Sequence, residues 1–236
     1  MTGTFAQVRR VHVHGMVWLG FVAATLACSG GAGPPRGPAY EPVDSAEAES
    51  SCPEQWKAAK LGRERLLDDS SRTTRLDVAE KVLAQADCER GILALGDVAP
   101  GSHQAVLAQV RHIRVRFSSV SNLYGEVLLY DFPLLNVGAR AGRGQLHALF
   151  ALKLRAMPTP LDVTEPQERS SFRHELIVLV RGFDDQAASD FAASLDSLSA
   201  FRPASEDIAR VEAWTRAACS GLKSLDRDRE RWPVCR

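Results

Sequence analysis

The chain has 236 residues, of which 45% are apolar and 25% are charged, a composition and length that suit one globular domain of moderate size. Its 29 basic residues balance its 29 acidic residues, and removal of residues 1–27 would leave 27 basic and 29 acidic side chains. A chain with so little net charge has no global field to attract nucleic acid or an anionic membrane, so we expect no nucleic-acid partner.

Residues 1–27 have the pattern of an export signal. Arg9 and Arg10 form a basic start, and an uncharged, mostly apolar run follows over residues 15–27. These 13 residues are too few to cross the roughly 30 Å of bilayer hydrocarbon as a helix, but they suit the apolar core of a signal peptide. The sequence therefore predicts export and cleavage after Ala27.

The segment Thr25-Leu26-Ala27-Cys28 resembles the lipobox of bacterial lipoproteins, with Thr25 where leucine is usual. The resemblance implies that a diacylglyceryl group is attached to the sulfur of Cys28 and that this lipid links the protein to the membrane. Ser29, rather than aspartate, follows the cysteine. The resemblance therefore also implies an outer-membrane lipoprotein that faces the periplasm or the cell surface.

Residues 28–51 are predicted to form a flexible tether. The segment is dense in glycine and proline at first and in acidic and small residues afterwards, so it has little apolar surface to bury. As a random coil it would span roughly 25 Å. Residues 52–236 are expected to form a single globular domain with a short tail at its end.

Four cysteines follow the anchor, and an even number in an exported chain predicts disulfide bonds. Residues 53–69 and about 74–95 have helical patterns, and a hairpin of these helices places Cys52 opposite Cys88. Cys219 and Cys235 then form the second predicted pair. The chain contains no Cys-x-x-Cys, which would indicate redox or zinc chemistry.

The middle of the chain allows two interpretations. Polar and apolar residues alternate over 112–117 and 146–156, and short apolar runs occupy 126–130 and 176–180, all typical of strands. A long helix is the alternative, with one face formed by Val106, Val110, Ile113, Phe117, Val120, Tyr124 and Val127. We favour the strands, because Val115 and Leu152 would lie on the wrong side of the helices.

Helical patterns return after residue 180. Asp184 or Asp185 is predicted to cap a helix over 186–200, and Ser205 to cap a last helix. The predicted fold class is therefore α+β, with two helices, a small antiparallel sheet of about four strands and two further helices. An all-α bundle or repeat is the alternative.

Arg111, Arg114 and Arg116 would form a basic strip on one face of such a sheet. This strip is a possible anion-binding site, and a solvated polar face is its alternative interpretation. His112 and His147 would meet as metal ligands only if their strands were adjacent, so we predict no metal and no cofactor.

No motif identifies catalytic residues. Ser220 and Lys223 fit Ser-x-x-Lys, but the other motifs of penicillin-binding proteins are missing, and His174-Glu175 lacks the second histidine of a zinc-protease motif. The predicted function is a non-enzymatic, envelope-anchored lipoprotein that binds or assembles a protein or an envelope polymer. A cell-envelope hydrolase with an unrecognised active site is the alternative.

Overall fold

The computed structural model describes residues 52–95, 97–228 and 231–236, and the regular structure in these ranges is entirely helical. Single 3₁₀ turns at Ser205–Asp207 and Pro233–Cys235 accompany six helices: α1 (Pro53–Asp68), α2 (Arg72–Leu95), α3 (His103–Leu129), α4 (Pro133–Arg155), α5 (Pro166–Ser199) and α6 (Ile208–Ser224). None of the helices in these ranges combines the length and the apolar character that crossing a membrane requires.

The predicted α+β class is wrong. The segments 112–117 and 126–130 lie in α3, residues 146–155 lie in α4, and 176–180 lie in α5. Alternation over six residues covers less than two helical turns, so it does not separate a strand from a helix. The deciding pattern is longer, because α3 buries residues at helical spacing along its whole length: Val106, Phe117, Val120, Tyr124 and Val127.

Val115 and Leu152, the two residues that argued against helices, are indeed on the solvent side. They are 69% and 58% exposed, respectively. Single exposed apolar side chains are ordinary on protein surfaces, so each helix tolerates one. The inference from these two residues to strands was therefore too strong.

The other helix boundaries agree only in part with those predicted from the sequence. The helices predicted over 53–69 and 74–95 correspond to α1 and α2. Asp184 and Asp185 cap no helix, because α5 begins at Pro166 and runs through them. Ser205 opens the 3₁₀ turn that leads into α6.

α4 is the central helix and packs against α2, α3, α5 and α6. Its glycines let neighbouring side chains approach the backbone. A Cβ atom on Gly142 would lie 2.5 Å from Cε1 of the buried Tyr124. Phe191 of α5 lies between Gly144 of α4 and Gly221 of α6, which contact opposite edges of its ring. These close approaches hold α3, α5 and α6 around one helix.

Two disulfides connect the cysteines in the predicted pairs. Cys52 is bonded to Cys88, with Cα atoms 6.1 Å apart, and ties the residue before α1 to α2. Cys219 is bonded to Cys235, with Cα atoms 5.4 Å apart, and ties α6 to the final 3₁₀ turn.

Candidate functional site

A charged cluster is buried between α4 and α5. Asp190 of α5 is 2% exposed, and its Oδ1 accepts hydrogen bonds of 3.0 and 2.6 Å from Nε and Nη2 of Arg143. Its Oδ2 lies 2.9 Å from Nδ1 of His147. Arg143 and His147 are four residues apart in α4, so one helical face presents both to the carboxylate.

The ionised form of Asp190 is favoured despite burial. Burial alone raises the pKa of this carboxyl group. Hydrogen bonds from His147 and Arg143, together with the charges of these two residues, outweigh that effect and lower the pKa below its ordinary value. The cluster is therefore a buried ion pair whose carboxylate is bonded on both oxygens.

Aromatic rings surround the histidine. The ring of His147 lies 5.3 Å from that of Phe117 and 6.3 Å from that of Phe183, between centroids, and Phe150 stacks on Phe117 at 4.6 Å. Because Nδ1 of His147 is bonded to Asp190, Nε2 is the ring nitrogen that remains for another partner. Among residues 52–95, 97–228 and 231–236, no hydroxyl or thiol is hydrogen-bonded to His147. The geometry therefore orients the imidazole and connects two helices, without a paired nucleophile.

A second polar cluster joins α2 to α3. The hydroxyl of Tyr124 donates a 2.6 Å hydrogen bond to Oδ1 of Asp87 and accepts one of 2.9 Å from Nε of Arg90. Burial, and then the charge of Asp87, raise the pKa of Tyr124. The phenol thus remains protonated and acts as a structural donor.

The arginines predicted to bind an anion do not form one strip. In α3, Arg111 and Arg114 are exposed and three residues apart, whereas Arg116 is about 200° around the helix from Arg114. The guanidinium of Arg116 lies 3.8 Å from the carboxylate of Glu89. Helical geometry thus separates residues that an alternating strand would align, and anion binding there stays a prediction.

The remaining candidate residues are dispersed. His112 is exposed on α3, whereas His147 is buried, so the two do not share a polar face. Asp184 pairs with Arg155. No group of three His, Cys, Asp or Glu side chains in the described ranges could hold a metal ion. Cys28, the predicted lipidation site, lies outside those ranges.

Sequence reasoning missed the cluster of Arg143, His147 and Asp190. The available signal was a pair of polar residues at helical spacing within a segment of small and apolar residues. Residues 146–156 were predicted to form a strand, so His147 was placed in that strand and Arg143 was left outside it.

The surface offers shallow depressions and exposed apolar side chains. One depression lies on α1 and is lined by Pro53, Trp56, Lys57, Lys60, Leu61 and Glu64. Another lies where the end of α5 approaches α6. In the first half of α5, Ile177 and Val178 are 51% and 56% exposed. Neither a protein-family model, nor a curated protein, nor a solved structure matches this chain.

Proposed function

We propose that the protein is an envelope-anchored lipoprotein whose helical domain is a non-enzymatic binding or assembly module for another protein of the envelope. The proposed location in the cell envelope is supported by the basic start, the short apolar run and the lipobox-like residues before Cys28. The observation that carries the binding role is the apolar run Ile177-Val178-Leu179 on the outer side of α5.

The position of this run explains why it is available to a partner. The second half of α5 is covered by α6, through contacts among Phe191, Leu195 and Leu222. In the first half of α5, Leu176 and Val180 face the core, and the three residues between them are exposed to solvent. Val178 lies opposite the core, and Ile177 and Leu179 lie on either side of it, so a groove on a partner could enclose the run.

Site-specific photo-crosslinking tests the binding role. A photoreactive amino acid replaces Val178 in the lipidated protein, and its own membranes are irradiated. The expected result is a discrete protein adduct that disappears when Ile177→Asp is added to the same chain. The matched control places the same group at Val115, which is exposed on α3. Equal labelling from both positions, or an adduct insensitive to Ile177→Asp, would contradict the proposal.

Mass spectrometry tests the lipid anchor at Cys28 separately. The mature protein from a Gram-negative host should begin at Cys28 and carry a diacylglyceryl adduct. An unmodified Cys28 in the aqueous periplasmic fraction would show that the lipobox-like segment is not used.

A further inference from the structure

We infer that α4 carries a binding site for a small zwitterion of the amino-acid class, in which Arg140 binds the carboxylate and Asn136 binds the ammonium group. We call Asn136 and Arg140 the α4 pair. The inference goes beyond the proposed function, because it depends neither on a protein partner nor on the lipid anchor.

Arg140 is a cation of the central helix that lacks an acidic partner. α4 contains arginines and lysines but no aspartate or glutamate. Its other cations lie next to carboxylates of neighbouring elements: Arg143 with Asp190, Lys153 with Asp97, and Arg155 with Asp184. Within the described ranges, no hydrogen bond or ion pair reaches the guanidinium of Arg140, and its Nε is buried.

Asn136, one turn before Arg140, carries a complementary unbonded atom. Its Nδ2 donates a 3.3 Å hydrogen bond to Oδ1 of Asp131, and this bond sets the orientation of the amide. Its Oδ1 is buried and accepts no hydrogen bond from the described part of the chain. Because residues four apart share one face of a helix, a buried donor and a buried acceptor are neighbours on α4. Buried polar atoms in folded proteins nearly always have partners, so the α4 pair indicates a bound molecule.

The two unbonded atoms define what this molecule must offer. The guanidinium of Arg140 requires an acceptor with a negative charge, and a carboxylate supplies both through two parallel hydrogen bonds. Oδ1 of Asn136 requires a donor. An amino acid has its carboxylate and its ammonium group on one carbon atom. A water molecule would satisfy both hydrogen bonds but would leave the charge of Arg140 unpaired.

The charges around the α4 pair favour a ligand without net charge. Asp131 places a carboxylate at one end, and Arg140 places a guanidinium at the other. The neighbouring Arg143 is paired with Asp190, and Arg75 of α2 donates to a backbone carbonyl instead of to Asp131. A zwitterion with its ammonium group toward Asp131 meets an opposite charge at both ends. A simple anion would meet attraction at Arg140 and repulsion at Asp131.

Nuclear magnetic resonance titration of the full-length protein tests the inference. Asn136 and Arg140 are half-buried, so a small probe can approach them from solvent. The probes are glycine, acetate and methylammonium chloride at constant ionic strength. The signal is the Nε–H of Arg140, identified by its loss in Arg140→Lys. Glycine should shift this signal saturably, and acetate should require at least about a tenfold higher concentration, because it has no group that donates to Asn136. Methylammonium should cause no shift.

Substitutions separate the two halves of the site, with binding followed at the backbone amides of α4. Asn136→Ala should remove the advantage of glycine over acetate. Arg140→Gln should abolish saturable shifts by glycine. Arg140→Lys keeps the charge but loses the planar fork, so glycine should bind it about tenfold more weakly. Arg216→Gln removes an exposed arginine from α6 and should leave the binding of every probe unchanged. Circular dichroism shows whether each variant is folded, and the probes applied to the parent test the site without any variant.

Three results would each overturn the inference. The first is the absence of a saturable shift with glycine in the parent. The second is half-saturation by glycine and acetate at equal concentrations, which removes the role of Asn136. The third is unchanged binding of glycine by folded Arg140→Gln, which places the ligand elsewhere. None of these results depends on whether Val178 crosslinks to a partner, so this inference and the proposed function fail separately.

Discussion

Replacing Gly144 with alanine tests whether the ring of Phe191 is held as tightly as the structure indicates. The new Cβ atom would lie 2.7 Å from Cδ1 of Phe191, well inside normal van der Waals contact. The ring is 1% exposed, and its opposite edge meets Gly221 of α6, so it has no space into which to retreat. The substitution must therefore displace a helix.

Two opposing effects determine how much Gly144→Ala changes the free energy of unfolding. Overpacking a core costs about 1–3 kcal/mol, whereas alanine favours a helix interior over glycine by about 1 kcal/mol. The difference is a net loss of up to about 2 kcal/mol in the free energy of unfolding, or roughly up to 6 °C in melting temperature for a domain of this size. Urea unfolding followed by circular dichroism measures this loss.

Gly182→Ala is the matched control. Gly182 lies inside α5, and a Cβ atom there would meet no atom within 4 Å, so the helix preference acts alone. This variant should be more stable than the parent by up to about 1 kcal/mol. If Gly144→Ala is as stable as Gly182→Ala, the argument from the confined ring is wrong. In a Phe191→Ala background, the cost of Gly144→Ala should shrink, because the three ring atoms nearest to the new Cβ atom are gone.

Three further predictions concern the charged cluster and the first disulfide. Asp190→Asn should lower the free energy of unfolding by about 3 kcal/mol, measured by urea unfolding, because Arg143 loses its buried counter-charge. The lowered pKa of Asp190 stabilises the fold above its ordinary pKa of about 4, and this contribution is lost as the pH falls through the lower folded value. Acid unfolding should therefore be less steep below about pH 4 in Asp190→Asn than in the parent, and identical curves would refute this linkage. Cys52→Ser should cost roughly 3–4 kcal/mol, because the disulfide closes a loop of 36 residues, and should expose Cys88 to alkylation while Cys219 stays protected.

The beginning of the domain could be predicted because its determinants are local. The patterns over 53–69 and 74–95 each span several helical turns, and Ser70-Ser71 separates them. A hairpin of two helices leaves little choice about which residues meet at its open end. The pairing of Cys52 with Cys88 follows from that geometry.

The central elements could not be predicted, because a short stretch of sequence fits both the two-residue period of a strand and the 3.6-residue period of a helix. Residues 112–117 alternate as a strand would, yet α3 extends for 27 residues and uses only one side of them for the core. The glycines of 138–144 resemble a loop until the neighbours of α4 are known. In the folded protein they are the places where Trp214, Tyr124 and Phe191 approach the helix.

The charged cluster depends on contacts between distant parts of the chain. Asp190 meets Arg143 and His147 across 47 and 43 positions, and only the packing of α5 along α4 brings them together. The exposure of Trp56, in contrast, follows from the helical period of α1 once Ala59 and Gly62 are known to face the core.

The bond between Cys52 and Cys88 also determines how the domain bears mechanical force. A pull on the chain ahead of Cys52 would otherwise act on the first turn of α1 and peel its 16 residues from the surface one turn at a time. With the bond in place, the load passes directly into α2, a 24-residue helix packed against α1, α3 and α4. With the crosslink, a pull on the preceding segment must shear several packed helices past one another. Without it, the same pull would only have to unzip α1.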